Sequence, residues 1–169
     1  MEKGTVFWIT GLSGAGKTTI GKQLLTEMRK NKKNVVLLDG DELRKTIAED
    51  VGYEREDRIK AGYRYCKIAN LLANQGIDVI VATVAMFHCL REWNRDNIDN
   101  YREVYLRVSD EVLMQRNQKK LYSGVKEGKV KNVMGVDMKI EEPKSPDLVI
   151  ENDGRYTIQQ CVDMIKNIY

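Results

Sequence analysis

Short runs of apolar residues alternate along the chain with longer segments in which apolar residues recur every three or four positions. Such short runs suit strands that are buried on both faces of a sheet. The wider spacing is typical of amphipathic helices. The predicted strands cover residues 5–10, 34–38, 77–84, 103–108 and 147–150. Because strands alternate with helices, we predict an α/β fold with a mostly parallel five-stranded sheet and helices on both faces.

Helical spacing is clearest in three places. A first helix is predicted over residues 17–28, and a second contains the apolar positions between residues 65 and 72. Near the end of the chain, Thr157 and Gln160 have the spacing of a capping box, which places the start of a final helix there.

Residues 118–146 do not fit this alternation. They show little periodicity, and their seven lysines outnumber their four acidic residues. The excess equals the net charge of the whole chain, +3. A long loop in a small domain is usually a lid, a binding loop or a disordered excursion. Because this one is basic, we predict a lid over an anionic ligand, with a solvated excursion as the alternative.

Composition narrows the class of protein. The chain has 169 residues, of which 42% are hydrophobic, and we expect a single domain over residues 1–169. The small net charge does not indicate a nucleic-acid partner, and no run of apolar residues indicates a membrane segment or a signal peptide. Cys66, Cys89 and Cys161 are widely spaced, which argues against a disulfide framework or a zinc site. A cytoplasmic location is therefore expected.

Residues 11–18, Gly-Leu-Ser-Gly-Ala-Gly-Lys-Thr, match the phosphate-binding motif G-x-x-x-x-G-K-[ST] between a predicted strand and a predicted helix. In this motif backbone N–H groups and the helix N-terminus bind phosphates. Lys17 is expected to bridge the β- and γ-phosphates of ATP, and the Thr18 hydroxyl to bind Mg²⁺. The fold is thus predicted to be that of the P-loop NTPases. The predicted ATP-binding residues are Gly11, Ser13, Gly14, Ala15, Gly16, Lys17, Thr18 and Thr19.

The rest of the chain favours a small-molecule kinase among the proteins with this motif. The N-K-x-D element of guanine-specific switches does not occur. The strand predicted at 77–84 runs into Ala85-Met86-Phe87 and offers no carboxylate that would activate water. A kinase of this fold instead needs an acceptor site and a lid that excludes water.

The acceptor site is predicted after the second strand. Asp39 and Asp41 follow that strand, and Arg44 comes one helical turn later. Asp41 could accept a proton from an attacking hydroxyl, or it could cap a helix over residues 42–48. Arg44 could bind an anionic group of the acceptor. Asp39 could order the loop or the waters of the metal.

Four stretches carry a family resemblance. They are Ile9-Thr-Gly-Leu-Ser-Gly-Ala-Gly-Lys-Thr-Thr19, Leu38-Asp-Gly-Asp-Glu-Leu-Arg44, Val51-Gly-Tyr53 with Glu56-Asp-Arg58, and Gly128-Lys-Val-Lys-Asn132 with Gly135-Val-Asp137. Together they resemble adenylyl-sulfate kinase, essentially from end to end. The resemblance implies transfer of the γ-phosphate of ATP to the ribose 3′-hydroxyl of a nucleotide that carries a second anionic group. It also implies that Asp41 is the catalytic carboxylate, that Arg44 and Arg58 bind the anion, and that Tyr53 stacks on the base.

The chain departs from the family pattern mostly on the acceptor side. Ala85-Met86-Phe87-His88 stands where the family usually has serine-proline-tyrosine-arginine, Ala61 replaces an asparagine, and Val133 replaces a second aromatic residue of the lid. After Arg116, residues 117–120 replace aspartate-proline-lysine-glycine. Arg116 and Lys119 remain as cations that could stabilise the transferring phosphoryl group, beside Lys17 and Asp41. The predicted acceptor-binding residues are Asp39, Asp41, Arg44, Tyr53, Arg58, Val84, Ala85, Met86, Phe87, Lys131 and Val133.

The acceptor stays open at this point. By resemblance it is adenylyl sulfate, the substrate of sulfate assimilation. Kinases of capsule biosynthesis that act on cytidine diphosphoramidate resemble the chain at Met86-Phe87 and at Trp93-Asn94-Arg95. A non-catalytic nucleotide-binding regulator is a third hypothesis. We expect a small nucleotide as the partner, with a homodimer as an option, and leave open whether His88, Arg91 and Arg95 contact the acceptor.

Overall fold

The computed structural model describes residues 2–32 and 34–169. Its elements in chain order are β1 (Val6–Thr10), α1 (Lys17–Arg29), β2 (Val35–Asp39), α2 (Gly40–Ile47), α3 (Arg55–Ala73), β3 (Asp78–Thr83), α4 (His88–Asn97), β4 (Tyr101–Arg107), α5 (Asp110–Arg116), a 3₁₀ turn (Gln118–Lys120), α6 (Leu121–Lys126), β5 (Leu148–Glu151) and α7 (Ile158–Lys166).

The five strands form one sheet in the order β2-β3-β1-β4-β5. All four ladders that join them are parallel. The predicted α/β fold with its five-stranded sheet is therefore confirmed. The order reverses beside β1, and ligands of such sheets bind at this point, beyond the carboxyl ends of the strands.

Two hydrophobic cores cover the two faces of the sheet. Alternate residues of β1 point to opposite faces, so Val6 and Trp8 enter one core and Phe7 and Ile9 the other. The first core is completed by α3 and α4, and the second by α1 and α7. Every residue of β1 and β3 is buried, which explains their unbroken apolar runs.

Two expectations about local structure were wrong. The helix after β2 begins at Gly40, and its N-cap is Asp39, whose side chain accepts a hydrogen bond from the N–H of Asp41. Asp41 is therefore not the cap. Residues 118–146 are not a structureless loop either, because α6 lies within them and buries Tyr122 and Gly124. The two buried residues are too few to produce a visible period.

The capping box at Thr157 and Gln160 is confirmed at the start of α7. Of the helices within residues 2–32 and 34–169, none combines the length and the apolar character needed to cross a membrane.

Candidate active site

The loop between β1 and α1 is held in place through its carbonyl groups. Tyr122 donates its hydroxyl to the carbonyl of Ser13 at 2.7 Å. Arg116 donates to the carbonyl of Gly14 at 2.9 Å, and the Asn152 amide donates to the carbonyl of Ala15 at 2.7 Å. These bonds fix the orientation of successive peptide groups in the loop, which is what a cradle of backbone N–H groups requires.

Gly16 shows why the loop needs a glycine before the helix. Its φ is +95°, in the region that side chains rarely adopt. A Cβ atom there would also lie 2.6 Å from the amide nitrogen of Asn152. Any other residue would therefore disturb the Asn152 bond to the loop.

Lys17 opens α1 with a half-buried side chain, and its Nζ donates to the carbonyl of Leu12 at 2.8 Å. Burial lowers the pKa of Lys17 to about 8. The nearby carboxylates of Asp41 and Asp39 oppose this effect, whereas Lys119 adds to it. An anionic phosphate at this position would add a direct charge partner for the ammonium group, beyond the nearby carboxylates.

Asp39 joins the loop to the acceptor side of the sheet. Its Oδ2 accepts the hydroxyl of Thr18 at 2.6 Å, and its Oδ1 accepts the N–H of Asp41 at 2.9 Å. One carboxylate at the end of β2 thus positions both the first turn of α1 and the first turn of α2. This is the structural role that sequence reasoning left open for Asp39.

Asp41 faces the cleft from α2 and forms an ion pair with Lys119 of the segment after α5. Both side chains are exposed to the cleft. Lys119 makes this contact from a left-handed backbone conformation, with φ at +55°. The structure thereby brings together two residues that are 78 positions apart in the chain.

Tyr53 projects from the loop before α3 and is 59% exposed. The guanidinium carbon of Arg44 lies 4.3 Å from the centroid of its ring, and that of Arg58 lies 5.5 Å away. Arg44 donates to the carbonyls of Val51 and Gly52, and Arg58 to those of Tyr53 and Asn132. The two arginines and the ring therefore form one cationic, aromatic cluster.

These groups line one cleft of about 1060 Å³ at the carboxyl ends of β1, β2 and β3. The predicted site residues that it brings together are Ser13, Gly14, Gly16, Lys17, Thr18, Thr19, Asp39, Asp41, Arg44, Tyr53, Arg58, Val84, Ala85, Phe87, Arg116 and Lys119.

Five predicted site residues do not line the cleft. Gly11 and Ala15 are buried beneath the loop. Met86 is fully buried in the core and Val133 is buried in the lid, while Lys131 is exposed. The lid places Met134, one residue after Val133, in the cleft instead.

The cleft also contains residues that sequence reasoning missed. Asn152, Tyr156 and Ile158 lie beside the phosphate loop, and Tyr65 and Met134 lie beside Tyr53 and Arg58. The first three could have been found, because they follow the end of a parallel strand. Tyr65 could not, because its position in the apolar stripe of a helix predicts core packing alone.

After the ligands that the sequence predicts for them, we call the part around residues 11–19, Arg116 and residues 152–158 the ATP half and the rest of the cleft the acceptor half. The acceptor half comprises Asp41, Arg44, Tyr53, the cleft face of α3, residues 84, 85 and 87 after β3, and Lys119 and Met134 of the lid.

His88, Arg91 and Arg95 do not line the cleft but fix the C-terminal part of the lid. The backbone N–H of His88 donates to the carboxylate of Glu141 at 2.6 Å. Arg91 donates to the carbonyl of Glu141, and Arg95 to the carbonyl of Ser145 at 2.8 Å. The backbone of His88 and the side chains of Arg91 and Arg95 therefore position the lid and do not face the cleft.

A model of the family described as Adenylylsulphate kinase matches residues 3–151. The chain belongs to the adenylylsulphate kinase family. Its resemblance to that family, first noted in the four motifs, is thereby confirmed.

Relatives of the chain are named for different acceptors. A cytidine diphosphoramidate kinase of Campylobacter jejuni is 39% identical, over 95% of this chain and 93% of that protein. A probable adenylyl-sulfate kinase of Archaeoglobus fulgidus is 38% identical, over 88% of this chain and 96% of that protein. The structure of the APS kinase of Mycobacterium tuberculosis in complex with AMPPNP and APS has a TM-score of 0.90. It is 26% identical, with 99% of this chain and 98% of that one covered.

Membership in the adenylylsulphate kinase family makes the chain a P-loop kinase, an ATP-dependent phosphotransferase that acts on nucleotides. The relatives differ in the acceptor, so the family alone does not select one.

Proposed function

We propose that the chain transfers the γ-phosphate of ATP to the ribose 3′-hydroxyl of a small nucleotide that carries a second anionic group. One observation carries the proposal: a single cleft contains the phosphate loop and, across from it, the carboxylate of Asp41. Phosphoryl transfer needs two substrates in line between such groups, because positioning and charge stabilisation supply most of the catalysis.

ATP is proposed to bind in the ATP half, with its phosphates on the loop and on Lys17. Arg116 already lies against the loop through Gly14 and reaches the carbonyl of Asn152 at 2.8 Å. From this place its charge could stabilise the transferring group. Tyr156 and Ile158 expose apolar surface at the far end of the half, which suits a nucleotide base.

Thr18 and Asp39 fit the Mg²⁺ that this chemistry uses. Their side-chain oxygens lie 2.6 Å apart at the mouth of the loop. Mg²⁺ is usually bound by one or two protein oxygens, substrate phosphates and water, and this donor set matches that preference. When bound, the ion would neutralise the charge on the β- and γ-phosphates.

On the acceptor side, Asp41 is proposed to accept the hydrogen bond of the 3′-hydroxyl and then its proton. The Asp39 cap holds Asp41 in place, and the Lys119 pair keeps a cation beside it. During the reaction, Lys119 would leave the carboxylate of Asp41 and pair with the phosphoryl group, which carries more charge. The lid packs Gly135 against Leu12 of the loop and so excludes water, the competing acceptor.

For the acceptor, the site favours cytidine diphosphoramidate, with adenylyl sulfate as the alternative. The lid contributes Met134 to the cleft and no aromatic ring, because Val133 is buried within the lid. A base on Tyr53 would therefore lack a second stacking ring from the lid. The stacking energy lost is smaller for a pyrimidine than for a purine, since a pyrimidine has less surface to stack.

The test is a side-by-side measurement of ADP release from ATP with each acceptor and with none. Acceptor-stimulated release and a 3′-phosphate in the ³¹P NMR spectrum of the product are expected, with the larger kcat/KM for cytidine diphosphoramidate. Tight binding of ATP without stimulation by either acceptor would contradict the proposal and favour a non-catalytic regulator. A larger kcat/KM for adenylyl sulfate would select the alternative.

A further inference from the structure

Helix α3 presents a short row of residues to the acceptor half of the cleft. Arg58, Ala61 and Tyr65 are spaced by three and four positions, so they lie on one face of the helix, and all three line the cleft. The side chains along this row are a guanidinium group, a methyl group and a phenol. No part of the proposed function uses Ala61 or Tyr65.

Tyr65 lies at the floor of the acceptor half. Its residue is 6% exposed, and its nearest charged neighbours are the guanidinium groups of Arg44 and Arg58. Burial raises the pKa of the Tyr65 hydroxyl, while Arg44 and Arg58 oppose that rise. The phenol is therefore neutral at physiological pH, and it can both donate and accept a hydrogen bond.

Arg44 uses part of this capacity, because its guanidinium group also hydrogen-bonds the Tyr65 oxygen. The proton of the hydroxyl and a second lone pair on its oxygen remain for a ligand. Arg44 donates to the carbonyl of Val51 at 2.6 Å and also to that of Gly52. Arg58 donates to the carbonyl of Asn132 at 2.6 Å. The methyl side chain of Ala61, one turn before Tyr65, is the smallest that a helix position can carry with a Cβ. Because Ala61 and Tyr65 both line the cleft, a larger side chain at position 61 would restrict access to the phenol.

We propose that Tyr65 is a specificity-determining residue whose hydroxyl binds the second anionic group of the acceptor between Arg44 and Arg58. This inference rests on the proposed function. An arginine can only donate hydrogen bonds, so of these three side chains Tyr65 alone can accept one. A sulfate group offers acceptors only, whereas a phosphoramidate also offers N–H donors. The hydroxyl therefore matches the phosphoramidate.

The test compares Tyr65→Phe with Tyr63→Phe, which removes a hydroxyl from the same helix outside the cleft. Each variant is assayed with cytidine diphosphoramidate and with CDP, in which oxygen replaces the amide nitrogen. For Tyr65→Phe we expect about a tenfold higher KM for cytidine diphosphoramidate, the size of one hydrogen bond to a charged group. The preference for cytidine diphosphoramidate over CDP should therefore fall, while the KM for ATP stays unchanged. Tyr63→Phe should behave as the wild type.

A second variant tests access to the phenol. Ala61→Ile would restrict that access and should raise the acceptor KM without changing the KM for ATP, which also shows that the variant is folded.

The outcomes separate the two proposals. If the wild-type chain phosphorylates neither cytidine diphosphoramidate nor adenylyl sulfate, the proposed function fails. The inference about Tyr65 is wrong if the wild type is active but Tyr65→Phe leaves the acceptor KM unchanged. It is also wrong if Tyr65→Phe raises the KM for cytidine diphosphoramidate and for CDP equally. Turnover of adenylyl sulfate alone would also overturn it.

Discussion

The two halves of the cleft are built in different ways. The ATP half is dominated by one continuous stretch, residues 11–19, between one strand and one helix. The acceptor half is assembled from α2, the loop before α3, the face of α3, the end of β3 and the lid. We expect backbone N–H groups to contribute more to binding in the first half than in the second, which relies on side chains. The shared chemistry of a family can therefore persist in the ATP half while the acceptor changes.

The largest expected effect on kcat comes from removing a charge in the ATP half. Lys17→Met keeps the length of the side chain and removes its charge, so we expect kcat to fall about 10²–10³-fold, as for other single groups that stabilise transition-state charge. Release of ADP in the presence of acceptor measures it. Lys166→Met, a loss of charge on α7 outside the cleft, is the control and should stay near wild type. A Lys17→Met variant with most of its activity would remove the role assigned to Lys17.

In the acceptor half, Asp41→Asn should lower kcat about 10²–10⁴-fold, because the amide cannot take the proton of the hydroxyl. The KM for ATP should change far less than kcat, since Asp41 is proposed to act on the hydroxyl and affects ATP only through its charge near Lys17. Glu42→Gln removes the neighbouring exposed carboxylate, which pairs with Lys45, and serves as the control. Equal losses in both variants would mean that Asp41 acts only through the local field.

The different construction of the halves also decides what the sequence could predict. The G-x-x-x-x-G-K-[ST] motif places Lys17 and Thr18 correctly because its geometry is local to a strand, a loop and a helix. Helical spacing predicts the buried face of α3 that contains Tyr65, and Tyr65 does lie in the core, but the spacing does not predict that a cleft opens beside it. Met86 shows the opposite error: it follows β3, as a ligand-binding residue would, but its side chain turns into the core.

The lid was predicted only in part for a related reason. Its charge indicated an anionic ligand, yet charge carries no information about which residue faces inward. Val133 and Met134 are adjacent, and only the second lines the cleft. That choice depends on a turn in which both backbone N–H groups of residues 132 and 133 donate to Asp137. Such a turn is closed by a side chain that no periodicity marks.

Replacing one aromatic residue in each half should separate their substrates. Tyr53→Leu should raise the acceptor KM about 5–100-fold, the range that loss of one stacked base implies. Tyr156→Leu should raise the KM for ATP and leave the acceptor KM unchanged. Initial rates at varied concentrations of each substrate measure both. If Tyr53→Leu affects the KM for ATP as strongly as that for the acceptor, the two halves are not independent.

The lowered pKa of Lys17 predicts a pH dependence of the ATP half. Above about pH 8 the neutral amine predominates in the free protein. Phosphate needs the protonated form, so the Kd for ATP should rise by up to tenfold per pH unit there and stay flat below it. Binding near pH 8 should take up protons, which calorimetry in two buffers of different ionisation enthalpy would detect. Lys17→Met should abolish the uptake.

The lowered pKa of Lys17 also makes stability depend on pH, in the direction opposite to that for ATP affinity. Its pKa is lower in the folded chain than the ordinary 10.5, so the unfolded chain binds more protons between about pH 8 and 10.5. The contribution of Lys17 to the free energy of unfolding therefore rises with pH across that window, while ATP affinity falls. Urea denaturation of the wild type and of Lys17→Met across these pH values would show the difference.

The smallest expected effect lies at the base of the lid, which covers both halves. Lys120 has φ at +56° and is exposed, so it adopts a left-handed conformation that favours glycine. Lys120→Gly should raise the free energy of unfolding by about 1 kcal/mol in urea denaturation, less the added entropy of the unfolded chain. Lys126→Gly, in helix α6, should lower it instead.

Lys119, with the same backbone conformation, offers a comparison for Lys120. Its side chain is paired with Asp41, so Lys119→Gly relieves the backbone but also removes the cation from the acceptor half. We therefore expect Lys120→Gly to keep its activity and Lys119→Gly to lose it. If Lys120→Gly destabilises the chain, the left-handed turn before α6 does not form in the folded protein. The approach of Lys119 to Asp41 would then need another explanation.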